Sequence, residues 1–592
     1  MTQRSRSQPL DTPVPSSTSQ PRSVPQKRGR TGLEKCLLTV LLILTIGLLC
    51  FLSFLLFQST NGPERIKTTI PKLGEFSQLT ESKAKFLAQN KGLYGYNGRI
   101  DHIAATQLPH MKDQTYADYA GSGVYQKRQI EAVMKNLESN LYGNAHSINP
   151  SAKNSDHTIQ EARNAVLKWF NADPKEYTVI FTPGTTGAIK IVGETFPWST
   201  ESTFLYTRSN HNSVLGVREY ALDKGATFEC IDLDSLKSEF DVRSSQGLPK
   251  SGGTDETNHL FAFPAECNYS GEKYPLDLIE KFKNGSLGMK KGKYYVLLDA
   301  AAFVPTSKLD LSKYKPDFVT ISFYKMFGYP SGLGALIAKN SAANILHKSF
   351  FSGGTVSLSI ADDDFIQWMP EMCSRFEDGT LPFLNIAALK YGFDALLSTQ
   401  SDEWPTNGGD PSWEDVKKTM DGITAHTFAL QDYFYRELSS ATHENGKPMA
   451  EFYGHHDRHN IREQGPILNF NMLDASGKYF GFFEISALAA KKGLNIRTGC
   501  SCNPGACYDY LNVPTTLIKD TVAHIHHNSC GERLDIVSGH PIGSIRVSLG
   551  YLTTFEDVEK LKTFFIDTLR NKTDQQFLDE QQLQTRMGDD PL

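Results

Sequence analysis

Phe318-Val-Thr-Ile-Ser-Phe-Tyr-Lys325-Met-Phe-Gly328-Tyr-Pro-Ser-Gly-Leu-Gly334 carries more information than any other stretch of this sequence. It joins a short apolar run to a lysine and then to a glycine-bearing turn. An amine presented there and partly desolvated gives up its proton more easily than in water, which prepares it to form a Schiff base with an aldehyde. Working outward, similar apolar runs predict strands at Tyr177–Thr182, Thr203–Thr207, Phe228–Asp232, Leu260–Pro264, Tyr294–Asp299, Phe318–Ser322 and Gly334–Ala338. Amphipathic stretches between them predict helices at His157–Phe170, Thr186–Thr195 and Leu276–Lys283. That alternation reads as an α/β unit with a largely parallel sheet.

Two further groups fall at strand ends. Asp299 closes Tyr294-Tyr-Val-Leu-Leu298, which puts a carboxylate at the C-terminal edge where open α/β sheets bind ligands. Tyr177-Thr-Val-Ile-Phe-Thr182 runs into Pro183-Gly-Thr-Thr-Gly187 and a helix start, an arrangement that aims backbone N–H groups and hydroxyls at a phosphate. An acid and an amine on successive strand ends suit pyridoxal phosphate, whose ring nitrogen needs a carboxylate and whose aldehyde needs a lysine. His211 follows another predicted strand and is placed to stack on such a ring.

The chain has 592 residues, 39% hydrophobic and 21% charged, enough to bury a large core. A net charge of −5 without a basic stripe excludes the usual nucleic-acid footprint. Residues 1–36 hold five prolines and seven Lys/Arg and read as a disordered basic leader. The uncharged run Leu37–Phe57 predicts a single membrane-spanning helix, with the basic flank holding the N-terminus in the cytosol and the side of the catalytic region left open. The nine cysteines do not suggest a disulfide framework, yet Cys500, Cys502 and Cys507 cluster. Their C-x-C-x4-C spacing, upstream of His524, His526, His527 and Cys530, departs from the paired C-x2-C of zinc modules, and no metal is assigned.

From about Asp118 to Lys562 the sequence resembles the class V aminotransferase and cysteine desulfurase family of fold-type I pyridoxal-phosphate enzymes, and more narrowly the N-terminal domain of eukaryotic molybdenum cofactor sulfurases. The motifs are Tyr142-Gly-Asn-Ala-His-Ser147, Tyr177-Thr-Val-Ile-Phe-Thr-Pro-Gly-Thr-Thr186, Phe263-Pro-Ala-Glu-Cys-Asn-Tyr-Ser-Gly271, Ser322-Phe-Tyr-Lys-Met-Phe-Gly328, Arg497-Thr-Gly-Cys-Ser-Cys-Asn-Pro-Gly-Ala-Cys507 and Gly543-Ser-Ile-Arg-Val-Ser-Leu-Gly550. The resemblance implies a large domain with a mostly parallel seven-stranded sheet over 115–384 and a smaller α+β domain over 385–567. A connector over 58–114 would precede them and a polar tail over 568–592 follow.

It further implies Lys325 as the Schiff-base lysine, Asp299 at the pyridine nitrogen, His211 over the ring, Asn268 at the ring hydroxyl, and Thr185, Thr186 and Ser322 at the phosphate. Gly379 and Thr380 would complete the phosphate site of a neighbouring subunit, hence a homodimer, and Arg546 would clamp the substrate carboxylate. Cys502 stands at the persulfide position of a desulfurase that converts L-cysteine to L-alanine and passes sulfur to an acceptor protein or to molybdenum cofactor. Tyr324 before the lysine and Ala302, where many desulfurases have glutamine, favour the sulfurase branch. The alternatives are another class V reaction, transamination or β-elimination, and a non-catalytic anchored homologue.

Overall fold

A computed structural model describes residues 73–145, 147–232, 253–285, 287, 290–524 and 535–578. Seven strands form the main sheet: β1 (Tyr177–Thr182), β2 (Thr203–Thr207), β3 (Thr227–Ile231), β4 (Asn258–Pro264), β5 (Lys293–Asp299), β6 (Phe318–Ser322) and β7 (Gly334–Lys339). Their spatial order is β1-β7-β6-β5-β4-β2-β3. The pairs β2·β3, β2·β4, β4·β5 and β5·β6 are parallel, while β7 runs antiparallel to both β1 and β6. The sheet is therefore mixed. Gly334 lets β7 turn back after only a short loop, because a Cβ there would lie 2.4 Å from the Ile321 carbonyl oxygen and 2.6 Å from the Gly184 backbone.

Period-two alternation explains why these strands read as continuous apolar runs. Phe261, Phe263, Val296, Leu298, Val319 and Ile321 pack into one core cluster, while Leu260, Ala262, Leu297 and Phe318 pack into another on the opposite face. Both faces are buried, and each fully buried large side chain contributes about 1.5–3 kcal/mol.

Helix α1 (Pro150–Trp169) starts earlier than its periodicity predicts. Asn149 caps it by accepting a hydrogen bond from the Ala152 N–H, and Pro150 occupies the first turn, where its missing N–H costs nothing. Helix α2 (Gly184–Thr195) follows β1 directly, and the five-residue helix α3 (Phe323–Phe327) follows β6. A second, four-stranded antiparallel sheet holds β8 (Ala450–Tyr453), β9 (Ile467–Met472), β10 (Arg497–Gly499) and β11 (Ser544–Ser548) in the order β8-β9-β11-β10. Helices α4 (Trp413–Ser439) and α6 (Phe555–Leu569) pack with it, and α5 (Pro504–Tyr510) follows the cysteine loop. All of this belongs to one compact unit that begins at Gln78.

Two expectations are corrected. The fold was expected to include a membrane-spanning helix, but among the described residues no helix is long and apolar enough to cross a membrane. The run 37–57 on which that expectation rested lies outside the described residues, and the packed sheets and helices stand without it. The cysteine spacing did not suggest a disulfide framework, yet within the cluster Cys500 is bonded to Cys507. Spacing alone did not reveal this, because the turn at Ser501–Asn503 and helix α5 together fold the chain back on itself.

Candidate active site

The ends of β1, β4, β5 and β6 surround a cavity of about 440 Å³ lined by Thr185, Thr186, His211, Asn268, Asp299, Ser322 and Lys325, among others. It thus unites all of the expected cofactor residues except Gly379 and Thr380. Thr380 is exposed, accepts a hydrogen bond from Asn144 Nδ2 at 3.3 Å, and does not line the cavity of its own chain.

The oxyanion cradle is built by local geometry. Gly184 adopts φ +68°, a conformation that L side chains rarely take, and this swings the Thr185 N–H toward Ser322 Oγ at 2.9 Å. Thr185 Oγ1 and Ser322 Oγ lie 2.8 Å apart, as do Thr186 Oγ1 and Ser213 Oγ. Four hydroxyls and the first turn of α2 therefore converge, which is what a phosphate requires.

Lys325 sits on α3, which ends at Gly328 with φ +81° and a hydrogen bond from the Gly328 N–H to the Tyr324 carbonyl at 2.9 Å. That same carbonyl also accepts from the Gly123 N–H at 2.9 Å, so the lysine turn is clamped from the Asp118–Gly123 segment. The amine opens on the cavity but is otherwise surrounded by protein. Burial pushes its pKa below the usual lysine range, with Arg546 and Arg497 adding to the effect and Asp299 opposing it.

Asp299 is buried and accepts from the Ala301 N–H at 3.1 Å. His211 accepts from the Ser213 N–H through Nδ1 at 3.1 Å, which leaves the proton of the neutral ring on Nε2. Burial lowers the His211 pKa, with Asp299 opposing and Lys325 assisting, and the ring is neutral at physiological pH.

Arg546 and Arg497 face each other in register on β11 and β10, an arrangement of like charges that needs a counter-ion. Asp118, not among the expected site residues, supplies it. Its carboxylate lies 2.8 Å from Arg546 Nη2 and 2.7 Å from Arg497 Nη2. Arg546 Nη1 donates to the Asn268 carbonyl at 2.9 Å, and its buried Nε has no partner. Burial lowers the Arg546 pKa, and Asp118 opposes that shift.

The thiol loop is docked on this wall. Cys502 is exposed, has φ +56°, and its carbonyl accepts from the Asn212 N–H at 2.8 Å. Asn268 Nδ2 donates to the Ser501 carbonyl at 2.7 Å, and Asn503 Nδ2 donates to Asn268 Oδ1 at 3.0 Å. Both ends of the Asn268 amide are thus engaged by the cysteine loop. Positive φ at Ser501 and Cys502 is uncommon for residues bearing a Cβ and concentrates at functional sites. Among the described residues no His/Cys/Asp/Glu group is arranged to hold a metal ion, and His526, His527 and Cys530 lie outside them.

Residues 115–405 match the family model for class V aminotransferases. This region belongs to the class V aminotransferase family. The chain is 40% identical over 513 residues to molybdenum cofactor sulfurase from Oryza sativa subsp. japonica, covering 82% of this chain and 60% of that protein. It is 39% identical over 484 residues to the human molybdenum cofactor sulfurase, covering 80% of this chain and 52% of that protein. The chain therefore spans between half and two thirds of the length of these relatives. An apo cysteine desulfurase from Thermococcus onnurineus NA1 superposes with a TM-score of 0.58 at 16% identity, covering 79% of this chain and 98% of that one. At that identity the likeness concerns the fold. The lysine, the carboxylate and the hydroxyl cradle of the cavity described above all lie within the matched region.

Sequence reasoning missed three groups that the fold brings in: Asp118, Ser213 and Glu266. Nothing local shows that Asp118 meets two arginines far along the chain, at a separation of 379 positions to Arg497 and 428 to Arg546. For Glu266 a signal existed, the alternation Pro264, Glu266, Asn268 along a segment leaving a buried strand.

Proposed function

We propose that this protein is a pyridoxal-phosphate-dependent cysteine desulfurase that moves sulfur from L-cysteine onto Cys502 and passes it to a separate acceptor, a protein or molybdenum cofactor. One observation carries the reading. An exposed thiol is tethered by Asn268 and Asn212 to the wall of a cavity that holds Lys325, Asp299 and a hydroxyl cradle.

The residues present fit the cofactor. Thr185, Thr186, Ser213 and Ser322 would take its phosphate, Asp299 its ring nitrogen, His211 its face and Lys325 its aldehyde. Bound there, pyridoxal phosphate supplies the electron sink that allows the substrate Cα proton to leave and return. Lys325, with its lowered pKa, is suited to carry that proton. Arg546 would bind the α-carboxylate through its free Nε edge, a task matched to a planar guanidinium. Cys502 as thiolate attacks the substrate sulfur: an S–S bond forms, the Cβ–S bond breaks, the carbon is reprotonated, and L-alanine leaves. His211 lines the same cavity, and with Nδ1 accepting from the Ser213 N–H its Nε2 would be the second group able to exchange a proton there.

A homodimer belongs to this reading. Phe350, Leu358 and Phe365 are exposed apolar side chains in the same part of the sequence as Gly379–Thr380, and the exposed Leu141 and Ile148 flank Asn144, which donates to Thr380; neither Gly379 nor Thr380 lines the cavity described above. Such apolar exposure marks an interaction surface.

The test is direct. Protein supplied with pyridoxal phosphate and L-cysteine should release L-alanine and carry one extra sulfur on the Cys502 peptide by mass spectrometry. Cys502→Ala should abolish alanine formation while leaving the visible cofactor band intact. Full turnover by that variant would sink the desulfurase reading.

A further inference from the structure

Glu266 is the one cavity-lining carboxyl that the reaction above leaves without a task. It is 1% exposed, and neither of its carboxyl oxygens has a hydrogen-bond partner. Among the described residues no cation forms an ion pair with it. Lys273, paired with Glu266 across an antiparallel backbone bridge, donates its ammonium to the Ile461 carbonyl at 3.0 Å. A buried carboxylate without partner or counter-ion is costly by several kcal/mol, whereas a neutral carboxylic acid is cheaper and has a proton to give. Burial accordingly pushes the Glu266 pKa up to about 8, with Lys273 opposing, and pushes the Lys273 pKa down.

Its place in the wall says where that proton is directed. Pro264 is the register partner of Asp299. From there Pro264, Glu266 and Asn268 line the cavity, while Ala265 and Cys267 between them pack into the core. Room for the carboxyl is kept by Gly465, where a Cβ would come within 2.2 Å of Glu266 Oε1. Glu266 thus lies between the level of Asp299 and the level of Arg546, which touches Asn268.

On the pyridoxal ring the phosphate arm and the hydroxyl occupy opposite edges, with the nitrogen at one end and the aldehyde at the other. With its phosphate held by Thr185 and Ser322, its nitrogen by Asp299 and its aldehyde by Lys325, the group would turn its hydroxyl edge to the remaining wall, the 264–268 segment. Asn268 on that wall has its amide engaged by Ser501 and Asn503. Ala302, also on the lining, offers no polar group.

We propose that Glu266 binds the cofactor as a neutral acid, donating a hydrogen bond to the ring-hydroxyl oxygen. The proposal rests on the reading that pyridoxal phosphate fills this cavity. The contact would stabilise negative charge on that oxygen, which matters most after the neighbouring lysine-bound nitrogen has lost its proton. It therefore lowers the pH at which that nitrogen deprotonates.

The experiment is a spectrophotometric pH titration of the visible band of the cofactor-loaded protein, without substrate. Other titratable groups near this wall are Lys273, His211, Asp299 and Lys325, and all stay constant across the variants. Glu266→Ala should raise the midpoint by about one pH unit or more, the size expected for losing a hydrogen bond to a charged oxygen. Glu266→Gln, a neutral donor of the same length, should keep the wild-type midpoint. Infrared difference spectra of wild type against Glu266→Gln should show a protonated-carboxyl stretch lost in the variant, a readout that survives if Glu266→Ala folds poorly. A wild-type band whose midpoint ignores Glu266→Ala, or an infrared carboxylate signal in place of the acid, overturns this proposal alone. No visible band in the wild type overturns the pyridoxal-phosphate reading itself.

Discussion

Asn268→Ala separates the job expected of this residue, at the cofactor ring, from the one its hydrogen bonds show, at the cysteine loop. If Asn268 serves the cofactor ring, its loss should shift the visible band; if it latches the cysteine loop, the band should stand and sulfur transfer should slow. The geometry favours the latch. Truncation removes the 2.7 Å bond to the Ser501 carbonyl and the 3.0 Å bond from Asn503 Nδ2. Asn503 is fully buried but keeps the Ser209 carbonyl at 3.2 Å, so it is not orphaned. Two net hydrogen bonds at about 1 kcal/mol each give about 2 kcal/mol of lost docking free energy, or roughly a 30-fold fall in the population of the docked loop. The assay pairs alanine formation in single turnover with hydrogen exchange of the 500–503 amides. Persulfide formation should slow by roughly 10- to 50-fold, exchange should speed up, and the visible band should keep its position. A shifted band with unchanged exchange in the loop would refute the latch.

Two other outcomes follow from buried groups. Arg163 and Glu377 form a buried ion pair at 2.6 Å, and Glu377 also accepts from the Phe181 N–H at 2.7 Å. Glu377→Ala leaves a guanidinium uncompensated and should destabilise by about 3–5 kcal/mol, read as a lowered denaturant midpoint; a loss under about 1 kcal/mol would contradict this. His426 and His456 are held down to about 3 by burial, His426 accepting from the Gly95 N–H and His456 from Gln431. Unfolded, both would titrate near the ordinary histidine value of about 6.5, so between there and about pH 3 the unfolded state binds more protons. Stability present above that window should fall as the pH drops through it, by about 1.4 kcal/mol per pH unit for each histidine. His426→Gln should flatten the slope, and an unchanged slope would show that other groups set it.

Much of the fold was legible because both faces of the main sheet are buried. Tyr177–Thr182, Thr203–Thr207 and Phe318–Ser322 read as strands over the residues they occupy, since no polar alternation blurs their ends. Strand direction was less legible. The Gly334–Lys339 run looks like its neighbours, and its antiparallel course depends on a short connection and on the space left by Gly334. The early start of α1 could have been read from Asn149-Pro150, a capping pair outside the apolar period. The membrane-spanning helix is the expectation that failed to enter the described fold, because a hydropathy run says nothing of the packed domain.

For the site, the residue types that perform chemistry were already visible in one dimension: Lys325, Asp299, the Gly-Thr-Thr turn and the Cys500–Cys507 cluster each sit at or just after a strand end, where local pattern marks them. Their partners were decided by tertiary structure. Asp118 between two arginines, Asn268 engaged by the thiol loop, the Cys500–Cys507 bond and the unpartnered acid of Glu266 all depend on which segments meet. The physical reason is that a side chain's chemistry is a property of its residue, whereas its charge state, partners and burial belong to neighbours that the fold brings in, many of them from hundreds of residues away.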